Sequence, residues 1–268
     1  MTDPLYVVLG GYPAATLAAA FLKANLVGAV LVLAVAPARI LVRRAFGPAA
    51  AYHLWAVPPA AGFLMFVVGV AERHADPAIF AFDPMIIAAW AVGVLALASI
   101  FTVAQLRFQG EVRAGRGGPA VVGFISPVIV MPADDGRYTT EERDLIRAHE
   151  REHVARKDPR AAAFAAFFQC LCWFNPLVHL AAYLIRLDQE LACDAAVVRA
   201  RPTDRSLYAR TLLKTQLAGS PLPLGCYWSP RGQHPLELRI ASLKRTSKTP
   251  SKHSGGTFAA ASVNAIRP

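Results

Sequence analysis

Charged side chains are scarce in this sequence. They make up 17% of its 268 residues, against 55% for the hydrophobic types, whereas soluble domains carry about 25% charged residues. This shortage argues against an ordinary soluble domain and favours an integral membrane protein.

Acidic residues are the scarcer of the two signs. The chain has 18 Asp and Glu against 28 Lys and Arg, which gives a formal net charge of +10. No recognised basic-helix or aromatic nucleic-acid signature accompanies this excess. We therefore attribute it to the cytoplasmic side of a membrane protein, where Lys and Arg collect, and expect no direct binding of nucleic acid.

Cysteines are also few, and their spacing matches neither a zinc ribbon nor a disulfide framework. The four are Cys170, Cys172, Cys193 and Cys226. Cys170 and Cys172 lie in an apolar run, where thiols usually act as small hydrophobic side chains. We expect all four to be reduced.

Three apolar stretches are long enough to cross a membrane: Ala14–Ala36, Ala49–Ala71 and Pro84–Leu106. Lys23 interrupts the first of them, and the adjacent prolines at positions 58 and 59 predict a kink in the second. Basic residues follow the first and third stretches, while residues 72–83 between the second and third are mostly acidic among their charged positions. This charge pattern places the N-terminus outside and the chain after the third span in the cytoplasm.

The region after the third span begins with two short runs rich in β-branched residues. Ala120–Phe124 and Val128–Met131 flank Ser126-Pro127 and predict a β-hairpin. The second run offers a strand edge with which an extended peptide could pair, so we take Val128, Ile129 and Val130 as candidate substrate-binding residues. A capping box at Thr139 and Glu142 then starts a helix that we expect Pro159 to end.

This helix carries the sequence "HEREHVARKDP", with His149, Glu150 and His153 in an HExxH pattern. Histidines four residues apart lie on one helix face, so both imidazoles can reach one zinc ion. The intervening glutamate can serve as the base that takes a proton from zinc-activated water. The alternative interpretation is a solvated charged helix, which the neighbouring Arg and Lys residues would also suit.

A catalytic zinc needs a third protein ligand and one open position. Glu190 and Asp194 lie four residues apart on a predicted short amphipathic helix, so one can bind zinc and the other can hydrogen-bond a ligand histidine. Glu190 is the candidate ligand and Asp194 its outer-shell companion, although a solvated helix carboxylate is the alternative for Glu190. His179 lies in an apolar segment, and we expect it to be a packed or interfacial histidine rather than a metal ligand.

The segment Arg160–Arg186 is long enough to be a fourth span, but Asn175-Pro176 breaks it in the middle. A single crossing would carry Glu190 to the side of the membrane opposite His149 and His153. If the three share one zinc ion, the segment has to return. We therefore expect a broken hydrophobic hairpin whose two arms are each too short to span.

These motifs, in this order, resemble the BlaR–MecR family of membrane metallopeptidases. The resemblance covers residues 15–245 through "AVVGFISPVIVMP", the HExxH helix, "FNPLVHLAAYLIRLDQELACDAAVV" and "LELRI". It implies a mainly α-helical integral membrane protein, with about three transmembrane helices and a cytoplasmic gluzincin-like domain. It also implies Zn²⁺ bound by His149, His153 and Glu190, and Glu150 as the catalytic base.

The resemblance also implies a function. Family members relay an external signal, often a cell-wall antibiotic, to the destruction of a cytoplasmic repressor. We expect a zinc endopeptidase in the cell (inner) membrane, with a protein or peptide substrate such as a transcriptional repressor. The alternative is a non-catalytic signalling or scaffold protein that keeps a zinc site, although such a protein would not need Glu150.

Three regions follow from this interpretation. They are a membrane-spanning region at 1–106, a metallopeptidase domain facing the cytoplasm at 107–245, and a flexible tail at 246–268. Sensor members of the family continue into a last span and an external penicillin-binding domain. The sequence here has "SKTPSKHSGGTFAAASVNAIRP" at the corresponding place, so we do not expect direct β-lactam sensing.

Overall fold

The computed structural model describes residues 8–9, 12–72, 84–217 and 233–245. The predicted tail at 246–268, residues 73–83 of the acidic segment after the second span, and Cys226 therefore lie outside the described residues. The described part is mainly helical, with two small antiparallel strand pairs. The first pair joins β1 (Val8–Leu9) to β2 (Tyr12–Pro13) just before the first helix.

Three helical segments of the described chain are long and apolar enough to cross a membrane: Thr16–Phe46, Pro48–Ala71 and Met85–Arg113. They correspond to α1 (Ala14–Phe46), to α2 (Pro48–His53) with α3 (Val57–Ala71), and to α4 (Pro84–Arg113). Two of the helices run further than predicted at their C-terminal ends, because the basic residues there continue the helix instead of ending it.

The second span is interrupted where the two prolines predicted a kink. A 3₁₀ turn, Leu54–Ala56, separates α2 from α3, and the prolines lie in the first turn of α3. Proline lacks a backbone N–H, but the first turn of a helix has no intrahelical partner for that N–H in any case. The chain therefore accommodates both prolines by ending one helix and starting another.

The predicted hairpin and the capping box are both confirmed. Strand β3 (Ala120–Val122) pairs antiparallel with β4 (Val128–Val130), with Val121 opposite Ile129. Helix α5 (Thr140–Ala155) starts with Thr139 and Glu142, each side chain accepting a hydrogen bond from the other's backbone N–H, at 3.2 and 2.9 Å. Both strands pack against α5.

Pro159 does not end α5, contrary to the prediction. Helix α5 stops at Ala155, and Lys157 adopts the left-handed conformation with φ of 62°. Helix α6 (Asp158–Leu171) starts immediately afterwards with Pro159 in its first turn. The chain reverses at Lys157, which brings the start of α6 back towards the face of α5 that carries His153.

The broken hairpin is present, but its second arm is longer than predicted. Helix α6 ends before Asn175-Pro176, and α7 (Pro176–Ala200) starts there, with Asn175 capping it. The short separate helix predicted around Glu190 does not exist, since α7 continues through it for 25 residues, about 37 Å at 1.5 Å per residue. Helix α7 packs against α1, α2, α5, α6 and α9.

A small helical cluster packs against the N-terminal half of α5 and the C-terminal end of α7. It is built from α8 (Arg205–Leu217), which follows a 3₁₀ turn at Pro202–Asp204, and α9 (Gln233–Arg245). Its buried residues are Leu145, Val197, Val198, Tyr208, Leu212 and Leu243. This cluster fixes α8 and α9 against the two helices that carry the HExxH and Glu190 side chains.

The tip of the α6–α7 hairpin is held against α1 and α4. The indole N–H of Trp90 donates to the Leu171 carbonyl at 3.0 Å, and the indole N–H of Trp173 donates to the Trp90 carbonyl at 3.1 Å. The Trp173 ring lies directly over Gly93, where any Cβ would overlap it. The hairpin therefore needs glycine at this position of α4.

We predict that Gly93→Ala loosens the hairpin. Overpacking costs about 1–3 kcal/mol, which exceeds the gain of up to about 1 kcal/mol from replacing glycine by alanine in a helix. The thermal midpoint of the purified protein in detergent should therefore fall. Gly110→Ala is the matched control, because a Cβ there meets nothing within 4 Å. Equal midpoints for the two variants would contradict this account of the hairpin tip.

Candidate metal centre

Three potential metal ligands converge between α5 and α7. The Nε2 atoms of His149 and His153 are 3.1 Å apart, and the carboxylate oxygens of Glu190 lie 3.3 Å from the first and 3.7 Å from the second. Ligand atoms 2.0–2.2 Å from a tetrahedral zinc ion are about 3.3–3.6 Å apart. The three observed spacings lie at the edge of this range or on either side of it, so the donor set is compatible with a tetrahedral metal ion such as zinc.

The local structure explains this convergence. The helical repeat puts His149 and His153 on one face of α5, and α7 crosses that face with Glu190. The three side chains are 12%, 6% and 15% exposed. They are largely enclosed by the surrounding protein, although none of the three is completely buried.

His153 is oriented by a buried carboxylate from the start of α6. Its Nδ1 lies 2.8 Å from Oδ2 of Asp158, which is 1% exposed. A carboxylate on Nδ1 fixes the tautomer that carries the proton there and leaves the Nε2 lone pair free for the metal. The sequence interpretation missed Asp158, because the expected helix end at Pro159 hid the reversal at Lys157.

A second group of potential ligands is formed by His153, Asp158 and Cys193. Cys193 Sγ lies 3.4 Å from Nδ1 of His153 and 3.7 Å from Oδ2 of Asp158. Burial raises the pKa of the Cys193 thiol strongly, and nearby carboxylates raise it further. The Nδ1 atom of His153 that faces Cys193 already pairs with Oδ2 of Asp158, so this group suits an outer shell around His153 better than a separate metal site.

His149 is oriented through a tyrosine and a second buried carboxylate. Its Nδ1 lies 2.8 Å from the Tyr208 hydroxyl, which donates to Asp194 Oδ1 at 2.6 Å. Asp194 itself is 3.5 Å from Nδ1. The structure thus places Asp194 near a histidine, as the sequence led us to expect, but with Tyr208 bridging the two. Its role as an outer-shell group stays a prediction.

Arg239 on α9 holds both carboxylates of α7. It donates to Asp194 from Nε and Nη2 at 2.7 and 2.8 Å, and its Nη1 lies 3.1 Å from Glu190. Arg186 contacts Glu190 at 3.1 Å from the other side. The segment "LELRI" contributed to the family resemblance, yet no spacing in the sequence assigned this role to its arginine.

These cations set the protonation of Glu190. Burial raises the pKa of Glu190, but the charges of Arg239 and Arg186 outweigh burial and hold that pKa well below its usual range. In the metal-free site, burial lowers the pKa of His149, yet Glu190 and Asp194 raise it above its usual value overall. Glu190 is therefore an anion, ready to bind a cation alongside His149.

Two further predicted residues have defined positions. Glu150 follows His149 on α5 and is 7% exposed. His179 lies in the hairpin, with Nδ1 3.2 Å from Gln169 and Nε2 3.0 Å from the Trp173 carbonyl, so its contacts are those of a packed side chain. The candidate substrate strand Val128–Val130 is β4, which pairs with β3 in a two-stranded sheet of the described residues.

Comparison with known proteins places this site in a family context. Residues 111–243, almost half of the chain, match the family described as BlaR1 peptidase M56. The chain is also 30% identical over 115 residues to the regulatory protein BlaR1 of Bacillus licheniformis, a match covering 41% of this chain and 19% of that protein. The chain thus spans about a fifth of that relative, and the resemblance inferred from the sequence is confirmed for the matched segment.

We predict one zinc ion per chain, bound by the converging side chains. His149→Ala or His153→Ala should abolish stoichiometric zinc, and Glu190→Ala should weaken binding strongly, as measured by elemental analysis after desalting. His53→Ala is the control, because His53 is an exposed histidine on α2. Stoichiometric zinc in a His149→Ala, His153→Ala double variant would show that the site is assigned wrongly.

Proposed function

Since residues 111–243 match the BlaR1 peptidase M56 family, we propose that this chain is a membrane-embedded zinc endopeptidase that cuts a protein at the cytoplasmic face. The observation that carries the proposal is the convergence of the HExxH imidazoles with Glu190 at distances that fit a tetrahedral zinc ion. A solvated charged helix would not bring a carboxylate from another helix to the same point.

The roles of the side chains follow from their positions. His149, His153 and Glu190 would hold zinc, which supplies Lewis acidity and lowers the pKa of a bound water towards 7. Glu150 would accept the proton of the attacking water and pass it to the leaving amine nitrogen. Asp158 and Tyr208 keep the imidazoles oriented, and Arg239 keeps Glu190 in place as an anion.

We assign substrate binding to β4. Both strands of the hairpin pack against α5, and Val128 at the start of β4 is 60% exposed. An extended peptide that pairs with a strand edge is held through its backbone, with little demand on its sequence. Val128, Ile129 and Val130 would therefore position a substrate strand alongside the helix that carries Glu150.

The orientation towards the cytoplasm rests on charge and on the surface of the hairpin. Arginines cluster at the ends of α1 and α4, on the side predicted to be cytoplasmic. The α6–α7 hairpin exposes Phe164 and Phe167 at 53% and 58%, yet buries Gln169 at 3%. Apolar groups outside and paired polar groups inside are typical of a segment that contacts lipid, which supports a hairpin immersed in the bilayer.

The biological substrate in this proposal is a regulatory protein. The matched relative is named a regulatory protein, and the family resemblance implies destruction of a cytoplasmic repressor. A peptidase site at the cytoplasmic face would have direct access to such a substrate. Regulated proteolysis in signal transduction, with an antirepressor role, is therefore the function that the site supports best.

We expect Glu150→Gln to separate metal binding from catalysis. Glutamine keeps the size of the side chain but cannot act as a base, so hydrolysis should fall about 10²–10⁴-fold, while zinc content stays that of the wild type. Turnover is measured on a protein substrate that the wild type cuts. Equal turnover by both would end the mechanism, and zinc-loaded wild type without turnover on any tested protein would favour the scaffold alternative.

The orientation can be tested by cysteine labelling in intact cells. We expect Ala75→Cys to react with a membrane-impermeant maleimide from outside, and Ala114→Cys and Ala200→Cys to react only after permeabilisation. Ala114 and Ala200 are exposed in the structure, so a lack of external labelling would not be due to burial. Labelling of Ala200→Cys from outside would mean that Arg160–Arg186 crosses the membrane. The unsubstituted protein is the control for labelling of the native cysteines.

A further inference from the structure

We propose that the corner between the first two membrane helices, residues 39–55, positions Glu190 through α7, and that it does so through the side chains of Arg39, Arg43, Tyr52 and Trp55. The inference rests on the proposed zinc site and concerns its regulation. Asp188, two residues before Glu190, is the positioning residue. A movement of the first two spans would displace Asp188 and thereby change the position of Glu190 in the proposed zinc site.

Asp188 is completely buried and takes its partners from the corner. Its Oδ1 accepts from Arg39 Nη1 at 3.0 Å and from Arg43 Nη1 at 3.2 Å, while its Oδ2 accepts from the indole N–H of Trp55 at 2.8 Å. Arg39 and Arg43 lie on α1, and Trp55 lies in the 3₁₀ turn of the second span. One carboxylate of α7 thus joins the first two spans.

The positive-inside rule does not explain this arrangement. It accounts for arginines at the cytoplasmic end of α1, but exposed side chains satisfy it, as Arg44 next in the chain does. The side chains of Arg39 and Arg43 are instead only 9% and 20% exposed. Burying two guanidinium groups against one carboxylate requires close geometry to offset the loss of hydration, so α1 and α7 are held in a defined register.

A second contact reaches the histidine side of the metal centre. Gln189 donates to the Tyr52 hydroxyl at 3.2 Å, and the guanidinium of Arg156 lies 4.5 Å from the centre of the Tyr52 ring. Arg156 Nε is 3.7 Å from Asp158, the carboxylate that orients His153. Tyr52 of α2 therefore lies between the Glu190 helix and the group that fixes a histidine ligand.

The helical repeat explains how a movement at Asp188 can change the position of Glu190. Consecutive residues are about 100° apart around a helix, so Asp188 and Glu190 are about 200° apart and face opposite sides of α7. Asp188 points to the corner while Glu190 points to α5. A displacement of the corner that carries Asp188 with it would move the backbone at Glu190 towards or away from the two histidines.

Zinc affinity distinguishes this role from a purely structural ion pair. We expect Arg39→Met and Trp55→Phe to weaken zinc binding up to about 10-fold, the lower end of the range found for groups that hydrogen-bond a ligand directly. Affinity is measured in full-length protein in detergent with a competing chelator. Arg39→Lys should restore part of the affinity. Arg44→Met is the matched control, since it removes an exposed positive charge from the same end of α1.

The same coupling must run in reverse, because linkage between two sites is reciprocal. Adding zinc to the wild type should slow backbone hydrogen exchange in residues 39–55, and His149→Ala should remove that effect. If Arg39→Met and Trp55→Phe lower only the thermal midpoint and bind zinc like Arg44→Met, or if zinc leaves exchange in the corner unchanged, the proposal is overturned.

These outcomes are separate from those that test the peptidase itself. The zinc-affinity and hydrogen-exchange measurements require zinc binding but no turnover. A protein that binds zinc without hydrolysing a substrate would therefore still test the coupling between the corner and Glu190. Failure of the wild type to bind zinc would remove the metal site and the proposed function together. Normal zinc binding with no difference between Arg39→Met and Arg44→Met would reject only the coupling.

Discussion

A tetrahedral metal ion needs side-chain atoms about 3.3–3.6 Å apart, and in the proposed site α5 and α7 have to supply them. The four-residue spacing of His149 and His153 on α5 brings two of the ligand atoms together within one helix. The rest depends on the path of the chain between His153 and Glu190, which folds into a hairpin instead of crossing. The break at Asn175-Pro176, the reversal at Lys157 and the docking of Trp173 against Gly93 all serve this return path.

Electrostatics places a second demand on the same site. Four carboxylates lie at or near the two histidines, those of Glu150, Asp158, Glu190 and Asp194, and all but Glu190 are buried. Removing one partner of a buried ion pair typically costs about 3–5 kcal/mol. Arg239 therefore matters twice, because it neutralises Asp194 and keeps Glu190 ionised. Helix α9 is in this sense part of the candidate metal centre.

Local features of this protein could be predicted from sequence, because local chemistry determines them. The HExxH spacing, the capping box at Thr139 and the proline break of the hairpin each depend on residues a few positions apart. The contacts of Asp194 with Arg239 and of Asp188 with Arg39 join residues 45 and 149 positions apart, and no periodicity signals them. The continuity of α7 past Arg186 was missed because its apolar and amphipathic halves were interpreted as two elements.

X-ray absorption at the zinc edge tests the central claim, that His149, His153 and Glu190 form the metal's protein shell. The account predicts nitrogen and oxygen neighbours only, at about 2.0–2.2 Å, with the multiple scattering of two imidazoles. Glu190→Ala should remove one oxygen neighbour and leave both imidazoles. A sulfur neighbour at about 2.3 Å would contradict the claim, because it would place Cys193, now 3.4 Å from His153 Nδ1, in the shell.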